Sequence, residues 1–397
     1  MSGATTSIRP GWLTPPRLVM AVFFVQSACL NSWFPRIPDV QAKLGIGPAD
    51  LSLALLGMAI GGFFMTFLVA KIVERLTARG AIMLGFTLFC VAQALPGWAW
   101  NVPSLFAALF LMGAAYCIID LGTNVEAARI QDSLGRRIMA TCHGFWSLGS
   151  MVGLVLGSVL AQYAVDVRWQ EIVFGVVTLP LGVMAARALP VFARAVRAAA
   201  AKAPIVSLPS ASMIGLCVFA FGVLLAELTT RNWGAVYLRD VTLASPGQAG
   251  IGFAAFSLAM AVSRLTGDRF TDRFGPVAVG RFCSAMAVAG VGLLLLAGNI
   301  WVATVALAAL GIGVSVGFPL AVSAAAALGD RAPERNVAAL ALIAYLGSIV
   351  GPPLVGFVAQ GAGLKAGLAA ILPLMVLSAL FAGSLRRRLL PGDAAPS

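Results

Sequence analysis

The sequence predicts an all-α polytopic membrane protein whose helices form two parallel repeats. Three observations indicate this fold class. Hydrophobic residues make up 60% of the chain and charged residues only 11%, whereas roughly 25% of the residues in an ordinary soluble domain are charged. The charged residues fall in short clusters, separated by apolar stretches of about 20 residues, which is the length that crosses a bilayer core. Finally, segments of the first half recur in the second half at one constant offset.

Twelve apolar stretches are long enough to be transmembrane helices. We predict them at 18–36, 50–70, 80–98, 104–127, 139–162, 170–189, 211–233, 248–267, 277–297, 301–326, 337–360 and 366–385. Basic residues are concentrated in alternate loops and near both ends of the chain. The positive-inside rule therefore predicts that both termini are cytoplasmic, in a multi-pass protein of the inner (cytoplasmic) membrane. Because this bias also explains the net charge of +12, we expect no nucleic-acid partner.

The two halves of the chain are internal repeats. Leu-Gly-Ser at 148–150 recurs at 346–348, an offset of 348 − 150 = 198 residues, and Ala-Gln at 161–162 recurs at the same offset at 359–360. Each half contains an even number of spans, so both halves insert into the membrane the same way round. The repeat is therefore parallel, with its axis along the membrane normal.

The longest polar connection, rich in Ala, Arg, Lys and Pro, divides the chain into two domains. We predict an N-terminal six-helix bundle at 1–189, a cytoplasmic linker at 190–210 and a C-terminal six-helix bundle at 211–397. The linker is either a simple connection with the expected cytoplasmic charge or a short amphipathic helix on the membrane surface.

These features together resemble the major facilitator superfamily (MFS) across essentially the whole chain. The signature loop of that family has a Gly, then Asp-Arg four residues later, then Gly and basic residues. The loop at 70–79 lacks both glycines, whereas the loop at 268–275 keeps Asp-Arg and the later Gly. The resemblance implies the MFS fold, with 12 transmembrane helices. A carboxylate and a guanidinium in such a loop can tie neighbouring helices together, and we predict this cytoplasmic latch at Glu74, Arg75, Asp272 and Arg273.

The fourth span is similar to the fucose-permease branch of that family and to related bacterial inner-membrane proteins of unassigned substrate. In that branch a carboxylate is followed four residues later by Asn, as Asp120 is followed here by Asn124. The resemblance implies a role in proton coupling for the carboxylate. Fucose permeases carry a second acid in the first span, and the stretch 19–34 of this chain has none. Fucose as the substrate is therefore not implied.

Polar residues in spans four and five have no polar equivalents in the second half. Into otherwise apolar sequence the first half places Asp120, Asn124, Glu126 and the sole histidine, His143. Their equivalents 198 residues later are Phe318, Val322, Ala324 and Ala341. Since the same architecture accepts apolar residues at these positions, the fold does not require the polar set. We interpret the set as functional.

Asp120, His143 and Glu126 are candidates for proton coupling. Asp120 lies 13 residues before Ser133 and His143 lies 10 residues after it. At about 1.5 Å per residue they lie at depths within about 5 Å of each other, where they could exchange a proton. The alternative is a static polar pair that holds the helical hairpin together. Glu126 either joins this site or reaches the cytoplasmic interface.

Span seven and the outer end of span one carry candidate gate residues. Glu227 and Arg231 are spaced i, i+4, and Arg36 is expected at a similar height. Glu227 either meets Arg36 or Arg231 across a gate, or forms a local pair with Arg231 that neutralises two costly charges. Arg264 and Asp268 are spaced in the same way on span eight, and we predict a structural pair there.

Other polar and aromatic residues are candidates for the wall of a substrate cavity. Besides Asn124, they are Gln26, Asn31, Trp33, Trp146, Asn232 and Trp233. Ordinary helix–helix contacts are the alternative for this set. Glycines recur along spans five and eleven, at Gly149, Gly153 and Gly157 and at Gly347, Gly351 and Gly356. We predict close packing between helices along both stripes.

The remaining residue patterns argue against a metal centre, a cofactor or an enzyme. The six cysteines lie in apolar stretches with no Cys-x-x-Cys pair, which disfavours disulfides and zinc sites. No His-Glu-x-x-His motif or nucleophile–base grouping suggests catalytic residues. The expected partners are a small-molecule substrate, protons and the lipid bilayer, and we expect a monomer.

We therefore predict a secondary active transporter that moves a small polar metabolite across the cytoplasmic membrane by alternating access, coupled to protons. A proton-independent facilitator or an efflux pump of the same fold is the main alternative. A membrane sensor that transports nothing is a further one.

Overall fold

The computed structural model describes residues 14–135, 138–190 and 208–386, and within these ranges all regular structure is helical. Ten continuous helical stretches are long and apolar enough to cross a membrane. Two of them, Pro48–Trp98 and Arg335–Leu385, are 51 residues long, about twice the length that one crossing needs. Each is divided by a non-helical residue, Thr77 in the first and Gly363 in the second. The described residues therefore form twelve spans, and the predicted fold class is confirmed.

We number the spans α1 to α12. They are α1 (Pro15–Asn31), α2 (48–76), α3 (78–94), α4 (Val102–Leu134), α5 (Met139–Gln162), α6 (Val167–Ala188), α7 (Ile214–Val241), α8 (Pro246–Phe274), α9 (Pro276–Leu296), α10 (Ile300–Ser315 and Gly317–Ala326), α11 (333–362) and α12 (364–385). The predicted linker lies almost wholly at 191–207, outside the described residues. We call the side with the predicted cytoplasmic loops the inner face and the opposite side the outer face.

Several helices begin where the sequence supplies a cap. Asn101 accepts a hydrogen bond from the backbone of Ser104 and the Ser104 side chain bonds back, which forms a capping box at the start of α4. Ser245 and Gln248 do the same for α8. Such caps satisfy backbone N–H groups that have no partner within the helix. They fix the outer ends of two spans that approach the centre of the molecule.

Glycines on α5 let this helix lie directly against α1, as the sequence predicts. A Cβ atom on Gly149 or Gly153 would come within 2.2 Å of a backbone carbonyl oxygen of α1, that of Phe24 or Ala28 respectively. A Cβ on Gly157 would lie 2.6 Å from the oxygen of Ser32. No side chain fits in these places, so the two backbones are in contact along three turns.

The two halves of the molecule meet mainly through α2 with α11 and α5 with α8. Between halves, the hydrogen bonds of the described residues lie at the outer face or within the membrane, and none involves an inner-face loop. At the outer face, Arg239 at the end of α7 donates to the backbone oxygen of Pro38, 2.7 Å away. The structure is thus closed at the outer face, and a cavity lies beneath that closure.

Candidate functional site

A cavity of 310 Å³ lies between the two halves. The helices α1, α2 and α4 to one side and α7 and α11 to the other supply most of its wall, and α5 adds Trp146. Its polar and aromatic lining residues are Phe34, Tyr116, Asp120, Trp146, Glu227, Arg231, Asn232, Tyr345 and Ser348. A volume of this size is at the lower end of what small-molecule sites show.

Asp120 lies on the cavity wall, and its side chain is neither fully buried nor exposed. Its carboxylate has no hydrogen bond and no ion pair with any side chain of the described residues. Asn124, one turn further along α4, donates instead to the backbone carbonyl of Asp120 at 2.9 Å. A carboxylate at this depth costs about 3 kcal/mol or more when charged and alone. The cavity therefore holds an acid that has no partner among the residues that the structure describes.

The carboxylate of Glu227 forms ion pairs with two arginines of its own half. It pairs with Arg231 at 2.9 Å and with Arg264 at 3.8 Å. Each arginine also reaches into the other half. Arg231 donates to Asn31 on α1 at 3.0 Å, and Arg264 donates to Ser147 on α5 at 3.1 Å. The three charges carry a net +1 and form a tie between the halves.

Arg264 owes its position to a broken helix. Pro319 has no N–H, so the carbonyl of Ser315 four residues earlier has no helical partner. The α10 helix is interrupted at this point, and Arg264 donates to the free oxygen at 3.0 Å. The predicted pair of Arg264 with Asp268 is wrong, because the guanidinium turns toward Glu227 and α10. Sequence spacing on α8 alone gave no sign of this.

Aromatic side chains line the cavity beside the charges. Trp146 donates through Nε1 to the hydroxyl of Tyr116 at 2.9 Å, and the guanidinium of Arg231 stacks 4.6 Å from the Trp146 ring centre. From the other half, Tyr345 packs against Phe63 with ring centres 5.6 Å apart. The sequence predicted Trp146 in this wall and missed Tyr116 and Tyr345.

The gate predicted between Arg36 and Glu227 is wrong as a pairing. Arg36 lies in the turn after α1 and bonds to Asp39 at 2.6 Å, to Gln170 at 2.5 Å and to the backbone oxygen of Val165 at 2.6 Å. These partners hold it at the outer end of α6. Glu227 takes Arg231 instead, as the local-pair alternative predicted.

The structure does not join His143 to Asp120. No hydrogen bond links the two side chains in the described chain, and the imidazole packs edge-on against Phe23 with ring centres 5.3 Å apart. His143 points from α5 toward Phe23 on α1. Glu126 lies further along α4, buried and 3.9 Å from Arg129, away from the cavity lining.

The other predicted cavity residues divide into two groups. Trp146 and Asn232 line the cavity, and Asn31 reaches the site through Arg231. The second group does not line the cavity. Gln26, Trp33 and Trp233 are buried in the helix packing, whereas Asn124 is half-buried and bonds to its own helix. Gln26, for example, is fully buried and accepts a hydrogen bond from Thr123 at 3.2 Å.

The predicted cytoplasmic latch is not formed in this conformation. Glu74, Arg75 and Asp272 are exposed at the inner face and, within the described ranges, take part in no ion pair. Arg273 stacks 5.5 Å from the ring centre of Phe274.

A second polar cluster lies in the first half, away from the cavity. Glu171 on α6 is fully buried and accepts hydrogen bonds from Gln93 at 2.5 Å, Ser32 at 3.1 Å and Gln170 at 2.9 Å. Gln170 in turn accepts from Arg36. The sequence analysis missed this cluster, although Gln170 and Glu171 at the start of an apolar span were a signal.

Comparison with known proteins is consistent with this arrangement. The family model described as Major Facilitator Superfamily matches residues 18–226 and again 207–397. The chain is 30% identical over 356 residues to the uncharacterized transporter y4wD of Sinorhizobium fredii, covering 89% of this chain and 93% of that protein. It is 28% identical over 371 residues to an uncharacterized MFS-type transporter of Yersinia pestis, covering 92% and 94% of the two chains.

Solved structures share the fold at low identity. The nucleoside transporter NupG superimposes with a TM-score of 0.69 at 15% identity, covering 94% of this chain and 98% of the NupG chain. FucP in its outward conformation gives a TM-score of 0.63 at 16% identity, covering 96% and 100%. The family match and the curated relatives show a membrane transporter and not an enzyme. The chain belongs to the major facilitator superfamily.

Proposed function

We propose that this protein is a proton-coupled secondary active transporter that moves a small polar metabolite through the cavity by alternating access. The observation that carries the proposal is the Asp120 carboxylate, which lies on the wall of the cavity with no partner among the described residues. A group in this position can gain stability in only three ways: from a proton, from water or from a donor group on a solute. Each of these binds from the cavity.

Protonation of Asp120 changes the charge of the cavity. With Asp120 charged, the acid offsets the net +1 of Glu227, Arg231 and Arg264, and with Asp120 protonated that charge is left uncompensated. A ligand shifts a conformational equilibrium only as far as it binds the two states differently. A proton on Asp120 does so in this proposal, because it removes the charge that offsets Arg231 and Arg264, which join the halves in the closed state.

Glu227, Arg231 and Arg264 then couple this change of charge to the movement of the two halves. Arg231 and Arg264 each join the halves through one hydrogen bond to a neutral acceptor, Asn31 and Ser147 respectively. A solute with acceptor groups competes for the same N–H donors, and it can replace both bonds as the halves rock. The residues that bind the solute are thus also those that hold the halves together.

The cavity favours a small solute with hydroxyl or amide groups. Its volume of 310 Å³ suits a molecule of about the size of a sugar or nucleoside. Asn232, Ser348 and Tyr116 offer donors and acceptors, and the aromatic rings offer flat apolar surface. The fold neighbour NupG is a nucleoside transporter, and the fourth span resembles that of fucose permeases, so nucleosides and sugars are the first solutes to try.

We place the protein in the cytoplasmic membrane as a monomer, with the inner face and both termini in the cytoplasm. The distribution of basic residues supports this orientation. In that orientation the structure is closed toward the outside of the cell.

The test is transport by the purified protein in proteoliposomes. Sugars, nucleosides, organic acids and amino acids are first screened by thermal shift, and solutes that stabilise the protein are then measured with and without a pH gradient. We expect the gradient to drive accumulation by the wild type, and Asp120→Asn to bind the solute but no longer respond to the gradient. His143→Ala tests a second of the three predicted coupling residues.

Asp132→Asn is the matched control, since Asp132 lies exposed near the inner end of the same helix. It removes the same charge without touching the cavity, and we expect transport by this variant to follow the gradient as in the wild type. Equal responses to the gradient in the wild type and Asp120→Asn would contradict proton coupling through this residue. Flux that ignores the gradient in all variants would indicate a facilitator.

A further inference from the structure

Two glutamines at the outer face make the same contact in opposite directions. The side-chain oxygen of Gln162, at the end of α5, accepts a hydrogen bond from the backbone N–H of Gly247 at the start of α8, 2.9 Å away. The side-chain oxygen of Gln360, at the end of α11, accepts one from the backbone N–H of Ala49 at the start of α2, 3.4 Å away. Each bond runs from one half of the molecule to the other.

The two contacts are related by the internal repeat, because both the acceptor residues and the donor residues are separated by the repeat offset. Gln162 and Gln360 are 198 residues apart, and so are Ala49 and Gly247. The agreement extends one turn deeper. A Cβ on Gly250 would lie 2.8 Å from the Ser158 Cβ, and a Cβ on Gly356 would lie 2.4 Å from the Ser52 Cβ. The serine and glycine have exchanged sides between the copies, but each pair keeps the helices equally close.

The chemistry of each contact suits a closure that opens repeatedly. The first N–H groups of a helix have no partner within it, and an amide oxygen satisfies one of them. Both bonds lie in exposed positions, so water can replace the glutamine when the halves part. The free-energy cost of breaking them is therefore small, and no charge is left buried.

We infer that Gln162 and Gln360 are positioning residues for transport, a symmetric pair of clasps that stabilises the state closed at the outer face. The inference rests on the proposed alternating access and adds to it the residues that set the balance between the two states. Gly47 supports this role for the second clasp, because a Cβ there would come within 2.6 Å of the Gln360 side-chain oxygen.

The native Cys117 reports the state of the outer face, because it lines the cavity. Vesicles of defined orientation are treated with a membrane-impermeant methanethiosulfonate from one side, and modification of Cys117 is followed by mass spectrometry. We expect Gln162→Leu and Gln360→Leu each to raise the rate of Cys117 modification from the outer side about threefold to tenfold. This is the effect of losing one hydrogen bond that stabilises the closed state. The double variant should show about the product of the two, since the sites are far apart.

Glutamate variants test the chemistry of the clasp. Gln162→Glu keeps the acceptor oxygen and adds a negative charge at the start of α8, which favours the contact. Its rate from the outer side should equal the wild-type rate or fall below it. Asn101→Leu is the control, because Asn101 makes the same kind of bond within one half, to the backbone N–H of Ser104. This variant should react as the wild type does.

A wild-type rate in the Gln162→Leu, Gln360→Leu double variant would overturn the inference. So would a rate that rises equally from both sides, because this indicates general loosening instead of opening at the outer face. Neither readout involves a pH gradient. Failure of the clasps is therefore distinguishable from failure of proton coupling at Asp120.

Discussion

The two halves of this transporter share their closing contacts but not their buried polar chemistry. Gln162 and Gln360 occupy equivalent positions and make equivalent bonds. Asp120 and Glu171, by contrast, have Phe318 and Ala369 as equivalents. The difference shows which features the motion of two similar bundles requires and which features serve one site. Closure of two similar bundles against each other uses equivalent contacts from both halves, whereas binding of one proton needs only one acid, in one half.

Helix packing also differs between the halves. The α5 glycines bring that helix into backbone contact with α1. At the equivalent interface of α11 with α7, a Cβ on Gly351 would lie 3.3 Å from the tip of Leu225 and one on Gly347 would lie 3.7 Å from Leu224. The α7–α11 interface therefore has room for side chains where the α1–α5 interface has none.

The largest predicted effect comes from adding one methyl group to each of these interfaces. Gly153→Ala places a Cβ 2.2 Å from the carbonyl oxygen of Ala28, and we expect a loss of about 3 kcal/mol because two backbones must separate. Gly351→Ala meets only the end of a leucine, and alanine favours the helix, so we expect a change within about 1 kcal/mol. Thermal unfolding in detergent measures both. Similar losses for the two variants would remove the distinction between the interfaces.

A smaller effect is expected from the buried cluster of the first half. Glu171→Ala removes an acceptor of three hydrogen bonds and leaves a cavity, and we expect it to destabilise the protein by about 2 kcal/mol. Glu171→Gln should cost less, since the volume is kept. Because Glu171 does not line the cavity, both variants should still respond to a pH gradient. Loss of that response in Glu171→Gln would add a second acid to the coupling machinery.

The smallest effect concerns a backbone conformation that both halves share. Thr77 has φ of 70° and ψ of 163°, and its equivalent Gly275 has φ of 81° and ψ of 157°. Only glycine adopts this region without strain, which for other residues costs about 1–3 kcal/mol. Thr77→Gly should therefore stabilise the protein by about 1 kcal/mol, after loss of the Thr77 hydrogen bond to Gly80.

Gly275→Thr is the reciprocal variant, and it should destabilise the protein by about 1 kcal/mol or more. Chemical denaturation of both purified variants gives the signs. If both changes lowered stability, the Thr77 side chain would contribute more than its backbone strain costs. The two signature loops would then share a backbone conformation that is stabilised differently in each.

Much of the fold was predictable from the sequence, because hydrophobic length and charge bias act on each span separately. The predicted spans all occur, and the main errors are at their ends. The α4 helix runs on to Leu134 and α7 to Val241, beyond the predicted ends at 127 and 233. Charged residues mark where a helix leaves the apolar layer, but a helix continues into water until a cap such as Gly135 stops it.

The candidate site was predictable only in part. Asp120, Glu227, Arg231, Trp146 and Asn232 were named from the sequence and all line the cavity. Tyr116 and Tyr345 were missed, and Arg264 was given the wrong partner, because their significance depends on side chains of other helices. The predicted pairing of Arg36 with Glu227 was wrong for the same reason. The height of Arg36 in the membrane could be estimated from the sequence, but its neighbours on other helices could not be identified.

The sequence by itself determined that this chain forms twelve membrane helices in two repeated halves and that unusual polar residues lie in one of them. Both conclusions follow from periodicity and composition along a single chain. Only the tertiary structure decided which polar groups meet: that Asp120 has no partner among the described residues, that Glu227 holds two arginines, and that two glutamines clasp the opposite halves. Such contacts depend on how each helix is rotated against its neighbours, and that rotation is set by packing over the whole bundle, as at Gly153, and not by any local pattern.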